Sequence, residues 1–196
     1  MTGRIIRFSV LIVFLFQASV SVAQFSVGLS IGGFAIHHGD SRNAEIYPKK
    51  LDKQGRLVPF AGISLMVSYR INKYIGLKAV QSLILYDSAG KRAGISHIGI
   101  ELHDDIIGMD INNVQSSMSL GPFWYYRKGW SEIASYQNDP EFIQLSVNKK
   151  WERKFVWYGG FMRYNFDLGD KNAVAIDFLP GIPHLYAFSA GWNKNL

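Results

Sequence analysis

The chain of 196 residues contains no cysteine. A small secreted domain stapled by disulfides is therefore excluded. Long apolar runs are missing beyond the first two dozen residues, and after Gln24 no segment approaches the ~20 residues that a membrane helix needs. Glycine loops for phosphate, paired metal-ligand cysteines, HExxH and GxSxG are all absent, which removes the common nucleotide, zinc and serine-hydrolase signatures. Net charge is only +6. Lys and Arg are scattered through predicted loops instead of forming a stripe, so nucleic acid is not an expected partner. Exposed basic loops suit an anionic membrane surface instead.

What is present begins with MTGRIIRFSVLIVFLFQASVSVAQ, where Arg4 and Arg7 precede an apolar run from Phe8 to Phe16 and the small residues Ser21 and Ala23 stand three and one before Gln24. This reads as a secretory signal peptide over residues 1–23. The alternative, a transmembrane anchor, is disfavoured by the short apolar core and by the lack of a positive cluster after it. Removing 23 of 196 residues leaves 173, one domain over residues 24–196, and takes Arg4 and Arg7 out of the net charge to leave +4.

Aromatic residues make up 14% of the chain, glycines number 19, and short alternating segments recur. Exported, cysteine-free, aromatic-rich and alternating is the profile of an all-β, eight-stranded antiparallel transmembrane barrel in the outer membrane of a Gram-negative cell. A soluble periplasmic β-sandwich is the structural alternative. FSVGLSIGG places Phe25, Val27, Leu29 and Ile31 on one face and Ser26, Gly28, Ser30 and Gly32 on the other. A charged connection from Asp40 to Arg56 follows. VPFAGISLMVSYRI then runs to a tight turn at Asn72-Lys73, and YIGLKAVQSLILY returns. RAGISHIGIELH descends after LYDSAGK, VQSSMSLGPFWYYRKGW rises, and the polar stretch 131–154 reads as the largest excursion. FVWYGGFMRYNFDL, the turn at Gly169 to Asn172, AVAIDFLPG and LYAFSAGW complete eight strands.

Long connections on one side and short turns on the other match outer-membrane barrels, whose edges must close because unpaired backbone groups in lipid cost several kcal/mol each. An interior of eight strands admits side chains or one slender ligand and excludes a wide pore. The chain ends in Leu196, whereas the assembly signal of such barrels usually ends in an aromatic residue. No repeat or linker divides the chain.

Five histidines are present, His37, His38, His97, His103 and His184, and no metal site is expected because only His37 and His38 are close in sequence and adjacent strand residues point to opposite faces. The stretch YDSAGK, with Asp87, Ser88 and Lys91, resembles the D-S-x-x-K motif at the second surface connection of PagP-type lipid A palmitoyltransferases. AIDFLPGIPHLYAFSAGW is similar to that family's last hairpin. The resemblance covers Leu77 to Gly99 and Ala173 to Trp192, and departs in lacking a leading amphipathic helix before Phe25, in a longer first loop and in a more charged stretch at 131–154.

The resemblance implies an eight-stranded, monomeric barrel that moves an acyl chain from a phospholipid donor to lipid A without a cofactor. It implies His37 or His38 as the base at the outer end of the first strand, Asp87 as its electrostatic partner, Ser88 as nucleophile or hydrogen-bonding group, and Gly99, twelve residues after Asp87, at the floor of the acyl pocket. Lys91 and Pro180 join the substrate-binding set. Acyl transfer needs a base or nucleophile and an oxyanion stabiliser, and His, Ser and Asp can supply them. The plainer reading is that Asp87-Ser88 caps a hairpin and the histidines are solvated. A non-enzymatic barrel with partner-binding or envelope-structural loops is the rival function.

Strict alternation from Phe25 points His38 inward, whereas a bulge at Gly32-Gly33 turns His37 inward. Pro122, Pro180 and Pro183 near strand ends lack a ladder donor and either open a lateral gap for a lipid tail or simply end strands. Trp124, Tyr125, Tyr126, Trp130, Trp157, Tyr158 and Trp192 are expected in a membrane-interface belt.

Overall fold

The computed structural model describes residues 24–37, 52–53, 56–86, 91–103, 114–129, 143–145, 151–181 and 185–196. The signal peptide expected over 1–23 lies outside them. Among the described residues ten strands are formed: β1 (Gln24–His37), β2 (Leu57–Pro59), β3 (Ala61–Arg70), β4 (Ile75–Tyr86), β5 (Lys91–His103), β6 (Val114–Lys128), β7 (Ile143–Gln144), β8 (Trp151–Gly169), β9 (Asn172–Gly181) and β10 (Leu185–Asn195). Every wall pairs antiparallel with the next, and β1 closes onto β10 from Ser26 opposite Asn195 to His37 opposite Leu185. The result is a closed barrel of eight walls and not a sandwich of two sheets.

Strands β2 and β3 share one wall, broken at Phe60. The break faces a bulge in β1 between Gly32 and Phe34, and the Phe60 amide donates to the Gly33 carbonyl across it at 3.0 Å. The short β7 pairs with β8 at Glu152 and Arg153. The strand ends flanking 71–74, 104–113 and 170–171 lie at one end of the barrel with Gln24 and Leu196, and those flanking 38–56, 87–90, 129–150 and 182–184 lie at the other. At the first turn the Asn72 side chain accepts from the amides of Tyr74 at 2.8 Å and Ile75 at 2.9 Å, which fixes the predicted Asn72-Lys73 reversal.

Alternation separates the two faces as the sequence predicts. Phe25, Val27, Leu29 and Ile31 are exposed on β1, as are Leu65, Leu77, Ile98 and Ile176 on other walls, with Ile31 at 64% and Ile98 at 60%. An apolar surface wrapped around the whole barrel is tolerable only against lipid, so the fold is that of an outer-membrane barrel. Among the described residues no helix is long and apolar enough to cross a membrane; the crossing is made by strands.

Two predicted boundaries shift, and one predicted outward residue turns inward. The excursion expected over 131–154 ends earlier, because β8 already starts at Trp151 opposite Lys128. Its charged first residues are strand residues whose inward members, Glu152 and Lys154, are buried at the rim. Lys91 opens β5 opposite Tyr86 and is not a loop residue, which leaves only 87–90 as the connection. Tyr125 is turned into the lumen beside Phe123, with centroids 5.8 Å apart, and so leaves the expected outer belt. Trp124, Tyr126, Trp157 and Trp192 do take outward positions. Trp130 and the Tyr158 side chain lie outside the described residues.

Candidate functional site

The lumen is built in layers from the inward members of each strand. Nearest the short-turn end it is polar. Arg70 Nη2 donates to His103 Nδ1 at 3.1 Å, and Lys78 forms a buried ion pair with Glu101 while donating to Ser117 Oγ at 3.2 Å. Higher up, Arg163 grips Asp177 with two contacts, Nε to Oδ1 at 2.6 Å and Nη2 to Oδ2 at 3.1 Å, and reaches Ser30 at 2.9 Å and Asn193 at 3.4 Å. The Ser30 hydroxyl also donates to Asp177. Room for the guanidinium comes from Gly28, since a Cβ there would strike Arg163 Nη1.

Midway up, His97 Nδ1 donates to the Pro122 carbonyl at 3.0 Å and its Nε2 is hydrogen-bonded to Ser119 Oγ at 2.7 Å. Its ring stacks on Phe123 at 4.1 Å. Above this the lining becomes apolar, with Phe60, Val80, Ile84, Ile95, Phe123, Phe161 and Leu179 forming a buried cluster. Phe123 lies flat on Gly159, where a Cβ would come within 2.5 Å of the ring, and so fills the barrel axis instead of leaving it open. At the rim Arg127 Nε donates to Glu152 at 2.5 Å.

Two small cavities lie among the described residues. A cavity of about 40 Å³ in the polar layer is lined by residues that include Ser26, Arg70, Glu101, Gln115 and Asn195, and another of about 20 Å³ lies in the apolar layer beside Phe60, Ile84, Phe161 and Leu179. These volumes hold a few waters at most, whereas a ring the size of benzene needs about 150 Å³.

The predicted site residues are distributed as follows. The bulge at Gly32 resets alternation on β1, so that Ala35 is buried between exposed Phe34 and Ile36. The His37 side chain, and His38, Asp87 and Ser88 entirely, lie outside the described residues. On the backbone, the β1 residue level with Tyr86 at the end of β4 is, through Phe60, Gly33, so the end of β1 stands two walls across and four residues beyond it, on the order of 15 Å away. Gly99 does face the lumen, yet a Cβ on it would meet His97 Nε2, Ser119 Oγ and the Leu120 carbonyl, each at 2.6 Å. It abuts a packed layer and not an open floor. Pro180 is paired opposite Tyr186. Beside it the β8–β9 ladder stops at Met162–Phe178, leaving the last residues of β9 without a β8 partner. Pro122 sits at the bulge of the β6–β8 ladder.

Lys78, Glu101, Arg163 and Asp177 were not singled out from the sequence, although the signal was there. Asp177 has the parity of Ala173 and Ala175, and Lys78 that of Gly76 and Val80, so each is a charge on a lumen-facing register. Among the described residues no three His, Asp or Glu side chains gather as a metal site.

No family model matches the chain, and no curated protein matches it. Solved structures resemble it. The Neisserial surface protein A is 7% identical with a TM-score of 0.49, over 89% of this chain and 99% of that one. Ail, the attachment invasion locus protein of Yersinia pestis, is 12% identical at 0.44, over 89% and 97%. The outer membrane protein OprG of Pseudomonas aeruginosa is 12% identical at 0.45, over 87% and 95%. At these identities the likeness is one of backbone shape. The resemblance to lipid A palmitoyltransferases therefore rests on the sequence segments Leu77 to Gly99 and Ala173 to Trp192.

Proposed function

We propose that the chain is a sealed small barrel of the Gram-negative outer membrane, whose work is done by its outer rim and long connections in binding a partner or supporting the envelope. One observation carries this reading: among the described residues the inward side chains pack as ion pairs below and as interlocked aromatic and aliphatic groups above. A barrel packed in this way neither conducts nor stores a ligand, so its recognition surface is outside it.

A second reading, acyl transfer from a phospholipid to lipid A by a monomer without a cofactor, is supported by a different observation. The β8–β9 ladder ends at Met162–Phe178, directly below Pro180, beside the apolar upper layer and beneath the rim that carries position 37. A lipid tail entering there would have to displace Phe60, Phe161 or Leu179. His37 or His38, Asp87 and Ser88 would then act at the rim, with Lys91 and Gly99 along the wall.

One experiment separates the two. Lipid A is extracted from cells with and without the gene and its mass profile compared, while the purified barrel is tested for ion conduction in planar bilayers. An unchanged lipid A profile and a silent bilayer are expected. A gene-dependent lipid A species one acyl chain heavier would overturn the sealed-scaffold reading in favour of the second, and steady conductance would overturn both.

A further inference from the structure

On the outer surface of β5, β6 and β8, near the end with the long connections, side-chain character changes row by row. Antiparallel register aligns Arg92, Lys128 and Trp151 in the top row, then Gly94, Tyr126 and Arg153, then Ser96, Trp124 and Phe155. Arg92 and Arg153 are exposed, and Lys128 lies over the Trp151 ring with Nζ 5.4 Å from its centroid. Below them the rings are continuous: Trp124 and Phe155 are 5.2 Å apart, and Phe155 meets Trp157 edge-on at 4.8 Å, with Trp157 77% exposed. Exposed Ile98 and Leu120 continue the surface toward mid-membrane.

Cations above aromatics above aliphatics is the vertical order of headgroup, interface and acyl core in a bilayer. The described carboxylate of this sector, Glu152, is turned into the lumen and held by Arg127, so the outer face keeps only positive charge among the described residues. On other walls at this end the described outward positions Ile36, Leu85 and Phe178 are apolar. Among outward strand positions the charge is thus local to three adjoining strands, while exposed Lys53 and Arg56 precede β2 at the same end.

We propose that this sector binds a phosphorylated lipid of the outer leaflet, its phosphate held by Arg92, Lys128 and Arg153 and its acyl chains lying along Trp124, Phe155, Trp157 and Ile98. Cross-strand neighbours stand about 5 Å apart at Cβ, which lets one phosphate reach two cations at once. Arg92 and Arg153 present forked donors to phosphate oxygens, and Lys128 is steadied by Trp151. A soluble polyanion would use the cations but leave the aromatic rows beneath them idle. This site lies on the lipid-facing wall and depends on neither reading of the proposed function.

The test uses the folded barrel in mild detergent, with phosphatidic acid as the phosphomonoester probe and phosphatidylcholine of the same chains as the control, bound lipid being counted by native mass spectrometry. Wild type is expected to retain phosphatidic acid, less so as salt rises. Arg92→Gln/Lys128→Gln/Arg153→Gln should lose affinity by about fivefold per cation at low salt while phosphatidylcholine retention stays level. Lys171→Gln/Lys194→Gln, at the opposite end, should behave as wild type. Heat-dependent gel migration establishes that each variant is folded, and Lys128→Gln alone serves if the triple variant is not. Equal phosphatidic acid retention by a folded rim variant, or an equal loss in the opposite-end variant, would overturn the site.

Discussion

Arg163 on β8 and Asp177 on β9 stand directly opposite one another in the ladder and meet as a two-point ion pair, 2.6 and 3.1 Å, with both side chains almost wholly buried. The pair ties adjacent walls together and, through Ser30 and Asn193, reaches across the closure of the barrel to β1 and β10. Removing one partner leaves the other charge buried and without its counter-ion.

Asp177→Ala should therefore cost on the order of 3–5 kcal/mol in the free energy of unfolding, read from urea titration of the barrel in lipid vesicles. Asp177→Ala combined with Arg163→Met should recover most of that loss, because it leaves no unpaired charge. A single variant within about 0.5 kcal/mol of wild type would mean that water reaches Arg163, contrary to its burial.

Gly99 gives a prediction about space. A side chain at this position would collide with the His97–Ser119 hydrogen bond and with the Leu120 carbonyl, and a backbone oxygen cannot rotate away. Gly99→Met is thus expected to lower the yield of folded, heat-modifiable barrel rather than to trim a pocket. Overpacking of a filled core typically costs about 1–3 kcal/mol. A fully stable Gly99→Met barrel that also shortened the acyl chain on lipid A would instead show that the lumen opens beside Gly99 in the membrane.

The barrel was legible because lipid outside and side chains inside impose a period of two on every wall, and Phe25 to Ile31 display it openly. Polarity inside the barrel was harder to assign. Lys78 and Asp177 look like ordinary charges until the strands that bring Glu101 and Arg163 beside them are known, and those pairings span 23 and 14 residues of chain. The bulge at Gly32 was one of two alternatives in the sequence; only the position of Phe60 against it decides the parity of β1. Trp151 to Lys154 read as loop because charge there was taken as solvent-facing, whereas Arg127 on the neighbouring strand neutralises Glu152 at the rim.

At that rim, the acyl-transfer reading makes a sharp demand. Asp87→Ala and Ser88→Ala fall in a four-residue connection and should leave folding intact, so any lipid A acylation should disappear without loss of heat-modifiable migration. Of His37 and His38 one alone is expected to be required, and the two single alanine variants show which. Acylation that survives Asp87→Ala and Ser88→Ala in full would remove this connection from the chemistry.

The hairpin between β8 and β9 offers a test at the opposite end. Asp170 and Lys171 have φ of 48° and 64°, the left-handed pair of a two-residue turn whose twist matches the flanking strands, and Gly169 before them is at 84°. Aspartate tolerates this region better than most residues, whereas lysine gains nothing from it and its Cβ crowds the following carbonyl. Lys171→Gly removes that crowding and should stabilise the barrel by about 1 kcal/mol, partly offset by the greater freedom of glycine in the unfolded chain. Lys171→Val places a branched Cβ in the same conformation and should destabilise it by about 1–2 kcal/mol. Urea midpoints for the two variants and wild type, measured in the same vesicles, order the three. Were valine as stable as lysine, the turn would have to relax to negative φ, and the Asn172 side-chain bond to the Asp170 carbonyl, now 3.0 Å, would be lost with it.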